Sequence, residues 1–259
     1  KKVVVTVHDL NMVTVPQYYR DVNRVWPSLA DQKKVTQRAD HIIAVSENTK
    51  GDLINYWNIP EEKITTIYHG IGPALKNLSP ECVFPFDYIL YVGHRNAYKN
   101  FNNCLRAFKS INNIHKMLNL VCTGVRFQKN ELAQISKLKL ENRVFAVSAT
   151  EEQMARLYRD ALLFVYPSYY EGFGMPILEA MQYHCPVVLS DASCFPEIAQ
   201  DAAYYFDPHN EGKMAEVMLD VIDNVSLRNT LIQKGDIRIR NFSWGESANG
   251  HMAVYKSLL

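Results

Sequence analysis

Apolar runs and amphipathic segments alternate regularly along the chain from Tyr88 onward. Short apolar runs without polar alternation predict buried strands, and segments with apolar residues three or four apart predict helices between them. The strand-like runs are YILYV (88–92), LNLVCT (118–123), RVFAV (143–147), LLFVY (162–166), PVVLS (186–190) and AYYF (203–206). This order predicts a doubly wound α/β lobe over 87–243 that binds ligands at the carboxyl ends of its strands.

The residues before this lobe also contain strand-like apolar runs, with fewer helical segments between them. Residues 1–72 contain the strand-like runs VVVTV, HIIAV and ITTI, which predict a partial N-terminal domain of the same α/β type. Three prolines and little periodicity in 73–86 predict a linker. Because the chain starts at Lys1 and enters a strand at once, we expect that the first half of this domain is missing.

The last segment, 244–259, reads as a single helix. Ser243 is a plausible N-cap, and Glu246 follows three residues later, as in a capping box. We expect this helix to pack back on the N-terminal domain.

Composition narrows the class of protein. The chain has 259 residues, 47% of them hydrophobic and 21% charged, with a formal net charge of +1, which gives no reason to expect nucleic acid as a partner. Five cysteines without a CxxC motif indicate reduced thiols. Without a signal peptide or a long apolar span, the sequence predicts a cytoplasmic protein.

The stretch YYEGFGMPILEAM (169–181) places Glu171 before a Gly-Phe-Gly turn and Glu179 in the helical segment that follows. Gly172 and Gly174 permit tight backbone, and Pro176 fits the first turn of a helix. Free amides at a helix N-terminus form an anion site. The two glutamates could be surface charges, an acid/base pair, metal ligands or two contacts to one ligand. Taken singly, a solvated loop charge at Glu171 and a helix-dipole contact in the first turn at Glu179 explain them.

The stretch YVGHRNAYKN (91–100) is a second strand-to-helix loop. Gly93 permits close approach, and Arg95 and Lys99 lie in the loop. Because both loops leave carboxyl ends of strands, we expect them at one rim, where two cations and free amides suit a diphosphate. His8, in VHDL, also follows a buried strand, although it could simply cap its loop.

Other classes of site lack their motifs. The chain has no GxxxxGK[ST], no GxGxxG after a strand and no GxSxG. It also has no Asp-x-Asp, the usual short motif for a metal that bridges a nucleotide diphosphate. We therefore predict no metal site and no cofactor.

Taken together, these motifs resemble the GT-B glycosyltransferases of family 4, which are retaining and use nucleotide sugars. VGHRNAYKN resembles the family's Gly-x-Arg-x-x-x-Lys-Asn loop, and PSYYEGFGMPILEAM resembles its Glu-x7-Glu signature. Four further segments also resemble segments of the family and lie in its order along the chain: VHDL, HIIAVSENTKGDLI, ITTIYHGI and PVVLSDASCFPEIAQDAAYYFDP. The likeness therefore covers nearly the whole chain.

The resemblance implies roles for the charged residues. Arg95 and Lys99 would neutralise the diphosphate as a leaving group. Glu171 would bind sugar hydroxyls, and Glu179 would bind the ribose hydroxyls. His8 would face the donor sugar from the N-terminal domain.

The resemblance also implies backbone contacts. The amides of Gly172, Phe173 and Gly174 would hold the sugar and phosphates. Gly93 would also contact the nucleotide sugar. Val147 takes the place of a family glycine that backs the base, which leaves the base contacts open.

The resemblance thus implies a retaining, metal-independent hexosyltransferase of polysaccharide biosynthesis. Its donor would be GDP-mannose or a UDP-sugar, and its acceptor a glycan or a lipid-linked glycan, with peripheral contact at the inner membrane face. A GT-B epimerase or phosphorylase, or a non-catalytic nucleotide-binding module, are the alternatives.

Overall fold

The computed structural model describes residues 1–19, 29–95 and 97–259, which form two parallel β-sheets with helices packed around them. The strands are β1 (Val4–Val7), β2 (His41–Ala44), β3 (Ile64–Thr66), β4 (Tyr88–Tyr91), β5 (Asn119–Thr123), β6 (Val144–Val147), β7 (Leu163–Tyr166), β8 (Val187–Ser190) and β9 (Ala203–Phe206). The helices are α1 (Asn11–Thr14), α2 (Leu29–Arg38), α3 (Glu47–Trp57), α4 (Phe101–Ile114), α5 (Lys129–Lys137), α6 (Glu151–Asp160), α7 (Met175–Gln182), α8 (Phe195–Ala199), α9 (Glu211–Asp223), α10 (Val225–Arg238) and α11 (Trp244–Ser257).

The larger sheet has the strand order β6-β5-β4-β7-β8-β9, and every pair runs parallel. Strands β4, β5, β7 and β8 are buried at every residue, which explains their unbroken apolar runs. Neighbouring residues pack on opposite faces: Leu90 lies in the core beside α6, α7 and α8, and Ile89 in the core beside α4 and α9. The prediction of a doubly wound α/β lobe is confirmed.

The strand order places a crevice where the candidate residues lie. Strand β4 pairs with β5 on one side and with β7 on the other, so the sheet changes its direction of growth between β4 and β7. Loops 92–100 and 167–174 leave the carboxyl ends of these two strands. In open α/β sheets this switch point is where ligands bind.

The smaller sheet has the order β1-β2-β3 and is also parallel. Helix α3 follows β2 and begins at an N-cap, Ser46, whose hydroxyl accepts a hydrogen bond from the N–H of Thr49 at 3.0 Å. The helix ends at Asn58, which adopts a left-handed conformation with φ of 55°. Leu53 and Trp57 of α3 pack on the sheet.

Helix α11 lies against the smaller sheet. Ser243 caps it, accepting hydrogen bonds from the N–H groups of Gly245 and Glu246, so the predicted N-cap is confirmed. Val254 of α11 packs with Ile43 and Ile67. The connecting segment 73–86 contains no helix or strand. In the described part of the chain, no helix combines the length and apolar character needed to cross a bilayer.

The start of α11 needs a glycine at position 70. A Cβ atom there would overlap with the backbone of Ser243 and Trp244. We expect Gly70→Ala to lower the free energy of unfolding by about 1–3 kcal/mol, because the helix must shift to admit the methyl group. Thermal unfolding and amide exchange along α11 would measure this.

Gly72→Ala is the matched control, because no atom lies within 4 Å of a Cβ at that position. Its unfolding free energy should change by less than about 0.5 kcal/mol. Equal losses in both variants would mean that the contact with α11 is not what requires Gly70.

Candidate active site

A largely buried ion pair lies at the switch point. Lys99, at the end of a 3-10 turn over Ala97–Lys99, places its ammonium nitrogen 2.5 Å from Oε1 of Glu171. Each of the two side chains is 12% exposed. Ser168 donates a hydrogen bond of 2.7 Å to the same carboxylate oxygen. The structure thus brings together the predicted residues of two loops that are 72 positions apart.

Tyrosine rings surround the ammonium group of Lys99. Its nitrogen lies 5.1 Å from the ring centre of Tyr98 and 5.4 Å from that of Tyr166. Burial, together with the charge of Glu171, raises the pKa of Tyr166 well above its usual range. Tyr166 therefore stays a neutral phenol, and the charges at this site are those of Lys99 and Glu171.

The glycine turn opens α7 beside this pair. Gly174 is the N-cap and has φ of 88°, a conformation that favours glycine. Gly172 has a different requirement, because a Cβ there would overlap with the carbonyl group of His8. Among the described residues, no acceptor takes the amide hydrogens of Gly172, Phe173 or Gly174. Unpaired amides at the start of a helix favour an anion.

Glu179 differs from its prediction in one respect. It is the fifth residue of α7, so it does not lie in the first turn, and the predicted contact with the helix dipole is wrong. Its partner is Tyr158 of α6, whose hydroxyl donates a hydrogen bond of 2.9 Å to Oε2. Burial raises the pKa of Glu179, and the bond from Tyr158 partly opposes this rise.

A cavity of about 320 Å³ lies beside Glu179. Its lining comes from the end of the N-terminal domain, from α6 and from α7, and includes Gly72, Met154, Tyr158, Met175 and Tyr183. A half-buried carboxylate on a wall of mixed apolar and polar side chains can bind hydroxyl groups of a ligand and orient them.

Arg95 has its own carboxylate partner, on α5. Its guanidinium Nε lies 2.8 Å from Glu131 Oε1 of α5, and the side chain is 3% exposed. It also donates to the carbonyl oxygens of Thr123, Val125 and Arg126 and packs over the ring of Phe127. In the described residues, no hydrogen bond joins Arg95 to Glu171, so the two predicted cations of this rim have different carboxylate partners.

Gly93 follows β4 and Val147 ends β6, two strands that β5 separates in the sheet. Gly93 follows β4 with φ of 114°, and a Cβ there would meet no atom within 4 Å, so its requirement is conformational. Val147 ends β6, and its carbonyl oxygen accepts the N–H of Gly124 at 2.9 Å. This bond occupies the carbonyl group of Val147.

His8 follows β1 and is exposed, and its carbonyl group lies against Gly172. Its ring stacks on His69 with centres 5.4 Å apart, and His69 meets the edge of Phe173 at 4.9 Å. Burial, with the nearby His8 and His251, lowers the pKa of His69. His8 therefore lies at the carboxyl end of β1, as its position after a strand predicts, and its backbone lies against the glycine turn.

Two family models match the chain in agreement with these motifs. The model described as "Glycosyl transferases group 1" matches residues 85–238, which is more than half of the chain and includes the loops of Lys99 and Glu171. The chain belongs to the group 1 glycosyl transferases. The model described as "Glycosyltransferase Family 4" matches residues 1–75, which include His8.

Curated relatives of this glycosyltransferase include two named mannosyltransferases. The chain is 27% identical to "O-antigen chain mannosyltransferase B" of Escherichia coli, over 100% of this chain and 71% of the relative. It is 28% identical to "O-antigen chain mannosyltransferase RfbU" of Salmonella typhimurium, over 80% of this chain and 57% of the relative.

Solved structures share the fold. Sucrose-phosphate synthase from Thermosynechococcus elongatus matches with a TM-score of 0.83 and 20% identity, over 98% of this chain and 67% of that chain. Anabaena HepE, solved with UDP-glucose, matches with a TM-score of 0.80 and 20% identity, over 100% of this chain and 73% of that chain. The fold of this glycosyltransferase is therefore of the GT-B type.

Four residues of the site were missed by the sequence reasoning: Ser46, His69, Glu131 and Tyr158. Ser46 carries a local signal, because Ser-Glu-Asn-Thr before a helical segment is typical of an N-cap. Tyr158 and Glu131 look like ordinary helix residues, and their partners lie 21 and 36 positions away. No local pattern marks such pairs.

Within the described residues, no group of three or more His, Cys, Asp or Glu side chains is arranged to hold a metal ion.

Proposed function

We propose that this glycosyltransferase moves a hexose, in the first place mannose, from a nucleoside-diphosphate sugar to a hydroxyl group of a glycan or lipid-linked acceptor. The transfer retains the anomeric configuration and uses no metal ion or other cofactor. The observation that carries the proposal is the buried Lys99–Glu171 pair beside the unpaired amides that open α7. The names of the O-antigen mannosyltransferases support mannose as the sugar and polysaccharide biosynthesis as the process. GDP-mannose as the donor is part of the proposal.

The diphosphate would bind between Lys99 and the start of α7. A phosphate oxygen that takes the ammonium group of Lys99 replaces the carboxylate of Glu171 as its partner. The amides of Gly172, Phe173 and Gly174 would add hydrogen bonds, and the positive end of the helix favours the same charge. The guanidinium of Arg95 is already paired with Glu131, so we assign the main charge to Lys99.

The sugar would lie at Glu171. Once Lys99 turns to the phosphate, the carboxylate of Glu171 is free to accept hydrogen bonds from sugar hydroxyls. His8 would approach the same sugar from the N-terminal domain. In the reaction, the bond from the anomeric carbon to the diphosphate oxygen breaks and a bond to the acceptor oxygen forms on the same face. The acceptor's proton passes to the departing diphosphate oxygen.

The electrostatics favour the transition state over the ground state. Negative charge grows on the diphosphate as it departs, and positive charge grows at the anomeric carbon. In this proposal Lys99 and the amides stabilise the first charge, and Glu171 stabilises the second. Groups that are already in place for charges that appear only in the transition state lower the barrier.

The ribose would lie at Glu179, with the base in the cavity beside it. An ionised carboxylate accepts hydrogen bonds from both ribose hydroxyls. The tyrosine bond from Tyr158 fixes the side chain and helps to keep it ionised. Val147 would back the base in place of the family glycine.

We expect Tyr158→Phe to raise the KM of the nucleotide sugar roughly 2- to 10-fold at neutral pH, the value of one hydrogen bond. The pKa of Glu179 is raised by burial and lowered by Tyr158. Donor affinity should therefore fall as the pH drops through the raised pKa, where Glu179 gains a proton. In Tyr158→Phe this fall should begin at a higher pH. Donor KM as a function of pH measures both effects.

Tyr204→Phe is the matched control, because Tyr204 donates to Asp220 at 3.3 Å on the surface and packs on the face of the sheet opposite to α7. It should leave the pH profile of KM unchanged. A profile for Tyr158→Phe that overlays that of the wild type would remove Glu179 from ribose binding.

A donor screen tests the proposal as a whole. GDP-mannose, UDP-glucose and their free nucleotides are added to the full-length protein, with and without EDTA, and thermal protection and sugar transfer are measured. We expect GDP-mannose to protect the protein and to be turned over equally well in EDTA. Loss of activity in EDTA would contradict metal independence. Failure of all four compounds would contradict a nucleotide-sugar donor.

The products separate the alternative functions. A free epimerised sugar would indicate an epimerase, and a sugar phosphate would indicate a phosphorylase. Tight nucleotide binding without turnover would indicate a binding module. A lipid-linked acceptor would also require peripheral contact with the inner membrane face, which co-sedimentation with anionic vesicles would detect.

A further inference from the structure

The first turn of α3, in the N-terminal domain, holds the glycine turn of the C-terminal lobe. The hydroxyl of Ser46 donates a hydrogen bond of 2.6 Å to the carbonyl oxygen of Gly172. The hydroxyl of Thr49 lies 3.4 Å from the same oxygen. Ser46 and Thr49 are both 0% exposed, so water does not compete for this carbonyl group. The bond joins residues 126 positions apart and crosses the interface between the two domains.

This bond fixes the orientation of one peptide group. In a trans peptide, the C=O of one residue and the N–H of the next point in opposite directions. Because the C=O of Gly172 points at Ser46, the N–H of Phe173 points away from α3. Among the described residues no acceptor takes that N–H. Ser46 therefore keeps the N–H of Phe173 directed away from α3.

Further contacts fix α3 itself. The carboxylate of Glu197, from α8 of the C-terminal lobe, accepts the N–H groups of Glu47 at 2.7 Å and Asn48 at 3.0 Å. On the next turn, Asp52 accepts the hydroxyl of Tyr170 at 2.6 Å. The helix is thus held at residues on both sides of the glycine turn, which makes Ser46 a firm reference point rather than a mobile surface group.

We propose that Ser46 is a positioning residue for glycosyl transfer. By holding the carbonyl group of Gly172, it aims the N–H of Phe173 at an oxygen of the departing diphosphate. This inference rests on the proposed function and adds the N-terminal domain to the transition-state contacts. Because charge on the diphosphate grows during the reaction, a turned peptide should lower kcat more than it weakens the binding of the free nucleotide.

The test compares two N-cap serines. Ser46→Ala removes the cap of α3 and the bond to Gly172, whereas Ser243→Ala removes only the cap of α11. We expect kcat to fall about 10- to 100-fold in Ser46→Ala, with the Kd of free nucleoside diphosphate changed by less than about 3-fold. In Ser243→Ala we expect a similar loss of Tm with kcat within about 3-fold of the wild type.

Two more variants separate the hydroxyl from the cap. Ser46→Gly keeps most of the cap strength but has no hydroxyl, so it should lose kcat as Ser46→Ala does. Ser46→Thr keeps the hydroxyl and should recover most of kcat. If Ser46→Gly turns over at the wild-type rate, or if both alanine variants lose kcat in proportion to Tm, Ser46 is only a cap. A wild type that transfers no sugar from any donor would overturn the proposed function, and this inference with it.

Discussion

Replacement of Lys99 by methionine is expected to lower kcat for glycosyl transfer about 10²- to 10³-fold, the usual effect of removing one preorganised charge from a developing anion. Methionine keeps the length of the side chain and removes its charge. The ammonium group lies 2.5 Å from Glu171, the residue before the unpaired amides that open α7, whereas Arg95 is paired with Glu131. Because the two cations predicted for this rim have different partners, we do not expect Arg95 to replace the charge of Lys99. Initial rates with saturating donor measure the loss.

Lys213→Met is the matched control. Lys213 forms an ion pair of 2.6 Å with Glu216 in the same lobe, but on the surface, with side chains 47% and 59% exposed. Removing it should change kcat by less than about 2-fold and stability by less than about 1 kcal/mol. A Lys99→Met protein that is folded and turns over like the Lys213→Met protein would show that Lys99 does not stabilise the leaving group.

The strands of the larger sheet could be predicted from the sequence because a strand that is buried on both faces consists of consecutive apolar residues. Strands β4 and β7 are buried at every residue, and unbroken apolar runs such as YILY and LFVY follow from this. The rim that carries Lys99 and Glu171 was predictable for a related reason. Residues that follow parallel strands meet at one edge of the sheet, so position in the sequence is enough to place them.

The partners of the site residues could not be predicted in this way. Arg95 lies in a predicted rim loop, yet its guanidinium turns to Glu131 and three carbonyl groups. Glu179 lies one turn deeper in α7 than expected and binds Tyr158 of another helix. A buried polar side chain is stable only with a hydrogen-bond partner. Which partner it finds depends on the elements that pack against it, and not on its neighbours in sequence.

The same limit applies between the domains. Gly172 reads as a residue that permits a turn, and Ser46 reads as a helix cap. Packing gives each a second task, because the carbonyl groups of His8 and Gly172 meet partners from the opposite domain. On the proposed function, donor binding in one lobe is thereby coupled to the placement of the other, so a variant in either partner should change turnover.

Replacement of Glu171 by glutamine is expected to lower kcat on the order of 100-fold in the full-length protein. Glutamine has the same shape and can still accept a hydrogen bond from Lys99 or Ser168, so the fold should survive. What it loses is the negative charge that would stabilise positive charge at the anomeric carbon. The KM of the donor should change less than kcat, because that charge is largest in the transition state. Steady-state kinetics with GDP-mannose separate the two constants.

The double variant Lys99→Met with Glu171→Gln distinguishes stability from catalysis. Either single change leaves one member of a buried ion pair without its partner, which costs stability. Removing both charges leaves no unpaired charge, so the double variant should be at least as stable as the less stable single variant, while its kcat stays as low as theirs. Glu216→Gln, which breaks the exposed pair, should change neither quantity. If activity returned together with stability in the double variant, the pair would serve the fold and not the reaction, because a purely structural pair can be replaced by matched neutral groups and a pair that stabilises developing charge cannot.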